Sequence, residues 1–137
     1  MIKFMKDVEC MEMIRRNLYL NRIRPFIDQD LIKVLIGLRR SGKTILLSQI
    51  RDILLERGVA EENIIEINFE SRRFKKLEDA DTFYQYVTNR VEKANGKVYL
   101  FLDEIQHVTE WHSVIPSFRI DFDCDIYVTG SNSKLLS

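Results

Sequence analysis

A glycine-rich segment of the chain has the residue types and spacing that bind phosphate groups. Residues 37–44 read Gly-Leu-Arg-Arg-Ser-Gly-Lys-Thr, with four residues between the glycines and a lysine and a threonine after the second. Consecutive backbone N–H groups of such a loop wrap a phosphate, and the following helix points its N-terminus at it. The segment therefore predicts a site for a nucleoside triphosphate.

Each residue type in this segment has a definable chemical role. Gly37 permits a sharp turn out of a strand, and Gly42 lets the backbone approach phosphate where a Cβ would intrude. We expect the Lys43 ammonium to reach the β- and γ-phosphates of ATP and the Thr44 hydroxyl to bind Mg²⁺. The other expected nucleotide-binding positions are Arg39, Arg40, Ser41 and Ile45.

The flanking residues give this segment the strand–turn–helix context that a phosphate loop needs. Residues 32–36 are branched and mostly apolar, which predicts a buried strand. Apolar residues then recur every three or four positions, which predicts a helix over about 43–56 with one buried face. Gly58 is a plausible stop for this helix.

A second apolar run ends in two acids. Residues 98–102 are all apolar or aromatic, and Asp103 and Glu104 follow them. In open parallel sheets, ligands bind at the carboxyl ends of the strands. We therefore expect Asp103 to hold Mg²⁺, directly or through water, and Glu104 to orient and deprotonate the attacking water.

The last predicted strand, over 125–130, is also followed by polar residues. A polar side chain at this end of the sheet can touch the γ-phosphate or position the water, and we place Asn132 with Glu104 and Lys43 among the catalytic residues. The alternative, equally weighted, is that Ser131 or Asn132 caps the next helix.

The first 30 residues form a segment of their own. A helix is predicted over 8–21, and Pro25 should end or kink it at Arg24. Ile23, Phe26 and Ile27 either cap the core or help to cover the nucleotide base. We therefore divide the chain into an N-terminal helical segment, 1–30, that packs on the core, and the core itself, 31–137.

The remaining patterns predict structural elements rather than sites. A strand is expected over 64–69 and a helix over 79–94, and a short helix around Trp111 is expected to be capped by Thr109. The basic run 72–76 fits a solvated loop better than a nucleic-acid contact. Asp121, Asp123 and Asp125 lack the glycine and glutamate of a calcium loop, so a solvated start of the last strand is expected there.

Composition bounds the class of protein. The 137 residues carry 21 basic and 21 acidic side chains, which argues against a surface built for nucleic acid or acidic membranes. Two distant cysteines favour reduced thiols over a disulfide framework. No apolar stretch approaches the length of a membrane span, and no signal peptide is visible, so we expect a cytoplasmic location.

With these motifs in hand, the chain resembles prokaryotic AAA-type ATPases, and more narrowly a family of uncharacterised bacterial and archaeal ATPases with a domain of unknown function behind the ATPase core. The motifs that carry the resemblance are 19–20 with 24–27, 37–44, 102–106, Trp111 and 129–133. The resemblance implies Walker A at 37–44, Walker B at Asp103, a catalytic glutamate at Glu104 and a sensor at Ser131 or Asn132.

The resemblance also implies a fold. It is the α/β, three-layer P-loop architecture, with a mostly parallel sheet between helices and the strand order five-one-four-three-two. Such ATPases also have a fifth core strand, an arginine finger and often a helical lid, none of which can be located in the chain. We therefore expect a truncated core that binds ATP with Mg²⁺ and hydrolyses it efficiently only in a longer protein.

Three functions remain open on the sequence. The first is an ATPase module that performs work on a protein or nucleic-acid partner, with self-association as an option. The second is a phosphotransferase acting on a small molecule, although Glu104 beside Asp103 favours hydrolysis. The third is a fragment that binds nucleotide or assembles without catalysis.

Overall fold

Four parallel strands form the centre of the structure, a computed structural model that describes residues 20–36 and 40–131 but not the side chains of residues 40 and 41. The strands are β1 (Ile32–Leu35), β2 (Ile64–Asn68), β3 (Val98–Asp103) and β4 (Cys124–Thr129). Their order across the sheet is β1-β4-β3-β2, and each neighbouring pair is parallel. This agrees with the one-four-three-two part of the implied order.

Helices cover both faces of the sheet, which confirms the predicted three-layer α/β fold. The helices are α1 (Arg40–Glu56), α2 (Ala80–Lys93) and α3 (Trp111–Asp121). Successive strand side chains point to opposite faces. Tyr99 and Phe101 of β3 therefore pack with α1, whereas Leu100 and Leu102 pack with α2 and α3. The core consists of these two apolar layers, one on each face.

The helix ends follow local chemistry, with two differences from expectation. α1 begins three residues earlier than predicted, so the motif Gly42-Lys43 lies inside its first turn. Gly58, at φ +92°, follows its end as predicted. The predicted Thr109 cap of α3 is wrong: Glu110 occupies that position without a side-chain cap, and the Thr109 hydroxyl donates to the Glu78 carbonyl at 3.1 Å.

The segment before β1 is described from residue 20. Residues 20–23 are helical, and a 3₁₀ turn, Arg24–Phe26, carries the predicted break at Pro25. Ile27 is buried in the α1-side layer. Most of the helix predicted over 8–21 lies outside the described residues, and the division of the chain at residue 30 stays a prediction.

A buried ion pair connects the start of β1 with the start of β4. Lys33 of β1 contacts the carboxylate of Asp125, and both side chains are almost fully buried. The Asp125 carboxylate also accepts from the Tyr127 hydroxyl and from the backbone N–H of Asp28, at 2.9 Å for the latter. The expectation that Asp125 is solvated was therefore wrong, because its charge is compensated by a lysine 92 positions away.

The basic run 72–76 lies on the surface of the protein. All four basic side chains of the 72–76 run are exposed, on a 3₁₀ turn that spans Arg72–Glu78. None of the described helices has the length and apolar character that crossing a bilayer requires.

Candidate functional site

Residues 40–44, the described part of the glycine-rich motif, lie at the start of α1. The first four N–H groups of any α-helix lack partners inside the helix, and in α1 they belong to residues 40–43. They are therefore available to an anion placed at the carboxyl edge of the sheet. The apolar face of α1 packs on β1, β3 and β4 and fixes the direction of this helix end.

Lys43 projects from this turn into a buried polar site. Only 5% of the residue is exposed. Its ammonium donates to Oε1 of Glu104 at 2.8 Å and to the carbonyl oxygen of Gly130 at 3.2 Å. The motif lysine thus lies where the chain leaves β3 and β4, the two central strands. A desolvated cation held at this edge is suited to meeting a phosphate oxygen.

Glu104 reaches Lys43 because the backbone turns sharply after β3. Glu104 has φ +60° and ψ +53°, a left-handed conformation that is uncommon for a residue other than glycine, asparagine or aspartate. Its backbone N–H donates to the Thr129 hydroxyl at 3.0 Å, which holds the turn against the end of β4. Unusual backbone of this kind is concentrated at functional sites.

The electrostatics keep Glu104 ionised. Burial raises the pKa of its carboxyl, but the hydrogen bonds from Lys43 and then Gln106, with the lysine charge, outweigh burial and hold the pKa below its usual value. The carboxylate is therefore ionised at neutral pH, which is the form that a proton acceptor must have.

Asp103 and Thr129 lie side by side at the ends of β3 and β4. The Thr129 hydroxyl donates to Oδ1 of Asp103 while it accepts from the Glu104 N–H, so one buried hydroxyl fixes both acidic residues. Asp103 keeps part of its side chain accessible. A carboxylate at this edge of the sheet is suited to contact a cation or a water bound to one.

The donor atoms present fit Mg²⁺. Mg²⁺ prefers oxygen ligands, and in nucleotide sites it is held by one or two protein groups together with phosphates and waters. Thr44, exposed in the first turn of α1, and Asp103 supply a hydroxyl and a carboxylate. In residues 20–36 and 40–131 no group of three acidic, histidine or cysteine side chains forms a metal cage, so neither histidine belongs to one.

The structure describes part of the predicted site. Gly42, Lys43, Thr44 and Ile45 are described in α1, Asp103 is the last residue of β3, and Glu104 follows it. Gly37, Arg39, Asn132 and the side chains of Arg40 and Ser41 lie outside the described residues. Ser131 is half-buried after β4, close in sequence to the Gly130 carbonyl that contacts Lys43.

Two residues of the site were not identified from the sequence. Thr129 was included in the last predicted strand, and both Thr129 and Gln106 stood in motifs of the resemblance without a role of their own. Gln106 donates from Nε2 to Oε2 of Glu104 at 2.5 Å. Thr129 could have been identified because it is a polar residue at the end of a buried strand, as Asp103 is. The sequence has no comparable signal for Gln106.

An apolar groove lies beside the motif, at the carboxyl end of β1. Its volume is about 210 Å³, and it is open to solvent. Phe26, 46% exposed, lines it from the segment before β1. The other lining residues are Arg22, Ile23, Val34, Leu35, Ile36 and Leu46. Drug-sized ligands occupy larger pockets, so the groove suits one flat ring system rather than a whole nucleotide.

Comparisons with known proteins identify a family and two relatives of the chain. A family model described as an AAA domain matches residues 29–137. An uncharacterised protein of Haemophilus influenzae is 44% identical over 125 residues, which cover 91% of this chain and 31% of that protein. The uncharacterised protein MJ1544 of Methanocaldococcus jannaschii is 34% identical over 140 residues, covering 96% of this chain and 30% of that protein.

These matches cover nearly all of this chain but only a minor part of each relative. The chain spans about a third of the length of the curated relatives it matches. No solved structure matches the chain.

Proposed function

Because the chain belongs to the AAA domain family, we propose that it binds ATP with Mg²⁺ and forms the nucleotide-hydrolysing part of a longer ATPase. The observation that carries the proposal is the buried Lys43 ammonium, held between the Glu104 carboxylate and the Gly130 carbonyl at the ligand-binding edge of the sheet. A lysine with a purely structural role would not need oxygen ligands for a metal nearby. Thr44 and Asp103 supply such ligands.

Binding is divided between backbone and side chains. The N–H groups at the start of α1, which have no partner inside the helix, donate to the phosphate oxygens, and Lys43 neutralises charge on the β- and γ-phosphates. Thr44 and Asp103 hold Mg²⁺, which offsets negative charge on the same phosphates when it is bound. Gly37 and the adjacent arginines complete the loop, as the motif predicts.

Hydrolysis is assigned to Glu104. The carboxylate accepts the proton of a water aligned with the γ-phosphate, and general-base catalysis of this kind contributes roughly 10²–10⁴-fold in rate. A base at this position favours hydrolysis over transfer to a small molecule. Lys43 stabilises charge that develops on the transferred phosphoryl group, and Asn132 remains a candidate for positioning the water.

The groove beside the motif is assigned to the nucleotide base. It opens between the segment before β1 and Leu46, two residues after the Mg²⁺-binding Thr44. Phe26 supplies an exposed ring for stacking, and Ile23 and Ile36 supply apolar walls. A base in this position places its triphosphate next to the start of α1.

The longer relatives give the chain a place in a larger protein. The parts of those proteins outside this match would receive the work of hydrolysis, supply further ATPase elements, or bind a protein or nucleic-acid partner. We place the protein in the cytoplasm, where ATP and Mg²⁺ are abundant and thiols are reduced. The Cys124 thiol suits such a setting, because burial raises its pKa to about 11 and leaves it unreactive.

The test is ATP affinity, measured by calorimetry with Mg²⁺. Lys43→Ala removes a charge-assisted hydrogen bond worth roughly 1.5–3 kcal/mol, so binding should weaken about tenfold to a hundredfold. Lys75→Ala, on the exposed 3₁₀ turn, removes a cation outside the motif and should bind like wild type. Equal ATP affinity for wild type and Lys43→Ala, with cooperative melting of both, would exclude the proposed site.

A further inference from the structure

The two oxygens of the Glu104 carboxylate are held by different donors. Lys43 donates to Oε1 at 2.8 Å, and Gln106 donates from Nε2 to Oε2 at 2.5 Å. The orientation of the Gln106 amide follows from chemistry, since an ionised carboxylate only accepts hydrogen bonds and must face the NH₂ group. The carboxylate is therefore fixed by one charged and one neutral donor.

We propose that Gln106 is a positioning residue that keeps the Glu104 carboxylate oriented for catalysis after Lys43 turns to the nucleotide. This inference rests on the proposed ATPase function. When Lys43 contacts phosphate, Oε1 loses its donor and becomes the oxygen that accepts a proton from water. Gln106, still bonded to Oε2, then limits the rotation of a flexible side chain.

The backbone around Gln106 is suited to this role. Gln106 lies in the 3₁₀ turn Ile105–His107, directly after the left-handed residue Glu104. Ile105 and Val108, on either side, are almost fully buried and anchor the turn in the core. The Glu104 N–H bond to Thr129 fixes the main chain only, so the carboxylate itself depends on Gln106.

The neutrality of Gln106 also matters. A lysine there would form a second ion pair with Glu104 and weaken its basicity, and a glutamate would repel it. In the part of the chain that the structure describes, Oε1 of Gln106 is buried and makes no hydrogen bond, so Glu104 is the only partner that the described contacts give this amide.

The first test observes the hydrogen bond directly. The side-chain amide of Gln106 is observed by ¹⁵N NMR, and its signals are assigned by comparison with Gln106→Ala. The three samples are wild type alone, wild type with Mg²⁺ and a non-hydrolysable ATP analogue, and Lys43→Ala. We expect protected amide protons in all three states. Gln85, whose exposed amide contacts Asn89, is the internal reference for rapid exchange. Loss of Gln106 protection with the analogue or in Lys43→Ala would overturn the proposal.

The second test measures turnover. Gln106→Ala and the equally sized Gln106→Glu should each lower kcat about tenfold, less than the loss of the base itself, with KM within about twofold. Gln85→Ala should leave both unchanged.

Full kcat in Gln106→Ala, beside a strong loss in Glu104→Gln, would overturn this inference alone. Absence of ATP binding by wild type, or full turnover in Glu104→Gln, would instead overturn the proposed function. If turnover is too slow to measure, the NMR result decides.

Discussion

The ammonium of Lys43 lies 2.8 Å from Oε1 of Glu104, and each side chain is less than one tenth exposed. A phosphate group that recruits Lys43 must therefore replace a buried carboxylate as its partner. Buried ion pairs contribute little net stability, but breaking one without replacement is costly. ATP would supply the replacement. The phosphate and the Glu104 carboxylate would therefore compete for the Lys43 ammonium.

The first prediction concerns this competition. Glu104→Gln keeps the shape of the side chain but replaces a charged acceptor by a neutral one, which weakens the contact with Lys43 by roughly 1 kcal/mol. ATP, or a non-hydrolysable analogue, should bind about fivefold more tightly to the variant, whereas any hydrolysis should fall. Calorimetry and a phosphate-release assay measure the two effects.

A matched control is Glu92→Gln, which changes an exposed carboxylate on α2. It should alter neither binding nor turnover. Weaker binding of the analogue to Glu104→Gln would refute the competition, and unchanged turnover would show that Glu104 is not the base.

Much of this arrangement could be predicted from residue types and spacing. Buried strands and amphipathic helices have short repeats in the sequence, and parallel strands bring their carboxyl ends to one edge. Lys43, Asp103 and Glu104 could therefore be assigned to one site without knowledge of any contact between them. The strand order, by contrast, was implied by the family resemblance rather than by the pattern.

What the sequence could not predict depends on contacts between distant residues. The left-handed turn at Glu104 has no glycine or asparagine to indicate it, and it is supported by Thr129, which was predicted only as a strand residue. Likewise, nothing near Asp125 shows that Lys33 neutralises it. Such pairs become visible only when the sheet order places their strands side by side.

The second prediction concerns Mg²⁺. Asp103→Asn removes a carboxylate charge from the expected metal position, so the gain in ATP affinity that Mg²⁺ gives wild type should shrink. Calorimetry with Mg²⁺ or with excess chelator measures this gain. Asp123→Asn, an exposed aspartate at the opposite end of the sheet, is the control. The assignment of Asp103 fails if its variant keeps the Mg²⁺ effect of wild type.

The third prediction concerns the base groove. Phe26→Ala should weaken ATP binding about fivefold to a hundredfold, because stacking of a base on an aromatic ring contributes roughly 1–3 kcal/mol. Binding of inorganic tripolyphosphate should stay unchanged, since it has no base. Leu31→Ala, an exposed apolar side chain outside the groove, serves as control. If Phe26→Ala lowers the affinities for ATP and tripolyphosphate equally, Phe26 contributes to phosphate binding or to folding and does not contact the base.

The fourth prediction concerns pH. Burial raises the pKa of Asp28, but the Tyr99 hydroxyl at 2.7 Å and Lys97 at 3.0 Å outweigh it, so the folded pKa lies below the ordinary 3.8. A carboxyl with a lowered pKa adds stability above its unfolded value, and this stability disappears as pH falls through the folded value. Asp28→Asn should therefore melt below wild type near pH 7, with the gap closing below pH 3.8.

The Asp28 variant isolates the charge. Asparagine accepts from Tyr99 and tolerates the positive φ of +67° at this position. Asp52→Asn, on the exposed side of α1, should show no such pH-dependent gap. A gap between Asp28→Asn and wild type that persists at the lowest pH would mean that packing, not charge, is responsible.

The last prediction concerns the free side of β1. In the described residues β1 pairs with β4 alone, and Val34, in the middle of β1, is 47% exposed. An uncovered apolar edge strand is a template for pairing with another chain. We expect the 137-residue chain to self-associate through this edge, in a concentration-dependent manner, or to be only marginally stable.

Light scattering across a concentration series, together with thermal melts, measures both. Val34→Lys places a charge on the edge, which should disfavour pairing and shift the population toward monomer. Ile120→Lys makes the same exchange at a more exposed apolar position, 84% accessible on α3, and should leave association unchanged. If both lysine variants reduce association equally, general surface hydrophobicity is responsible rather than the strand edge. A wild-type monomer at high concentration with a cooperative melt would refute the prediction and show that the segment before β1 covers the edge.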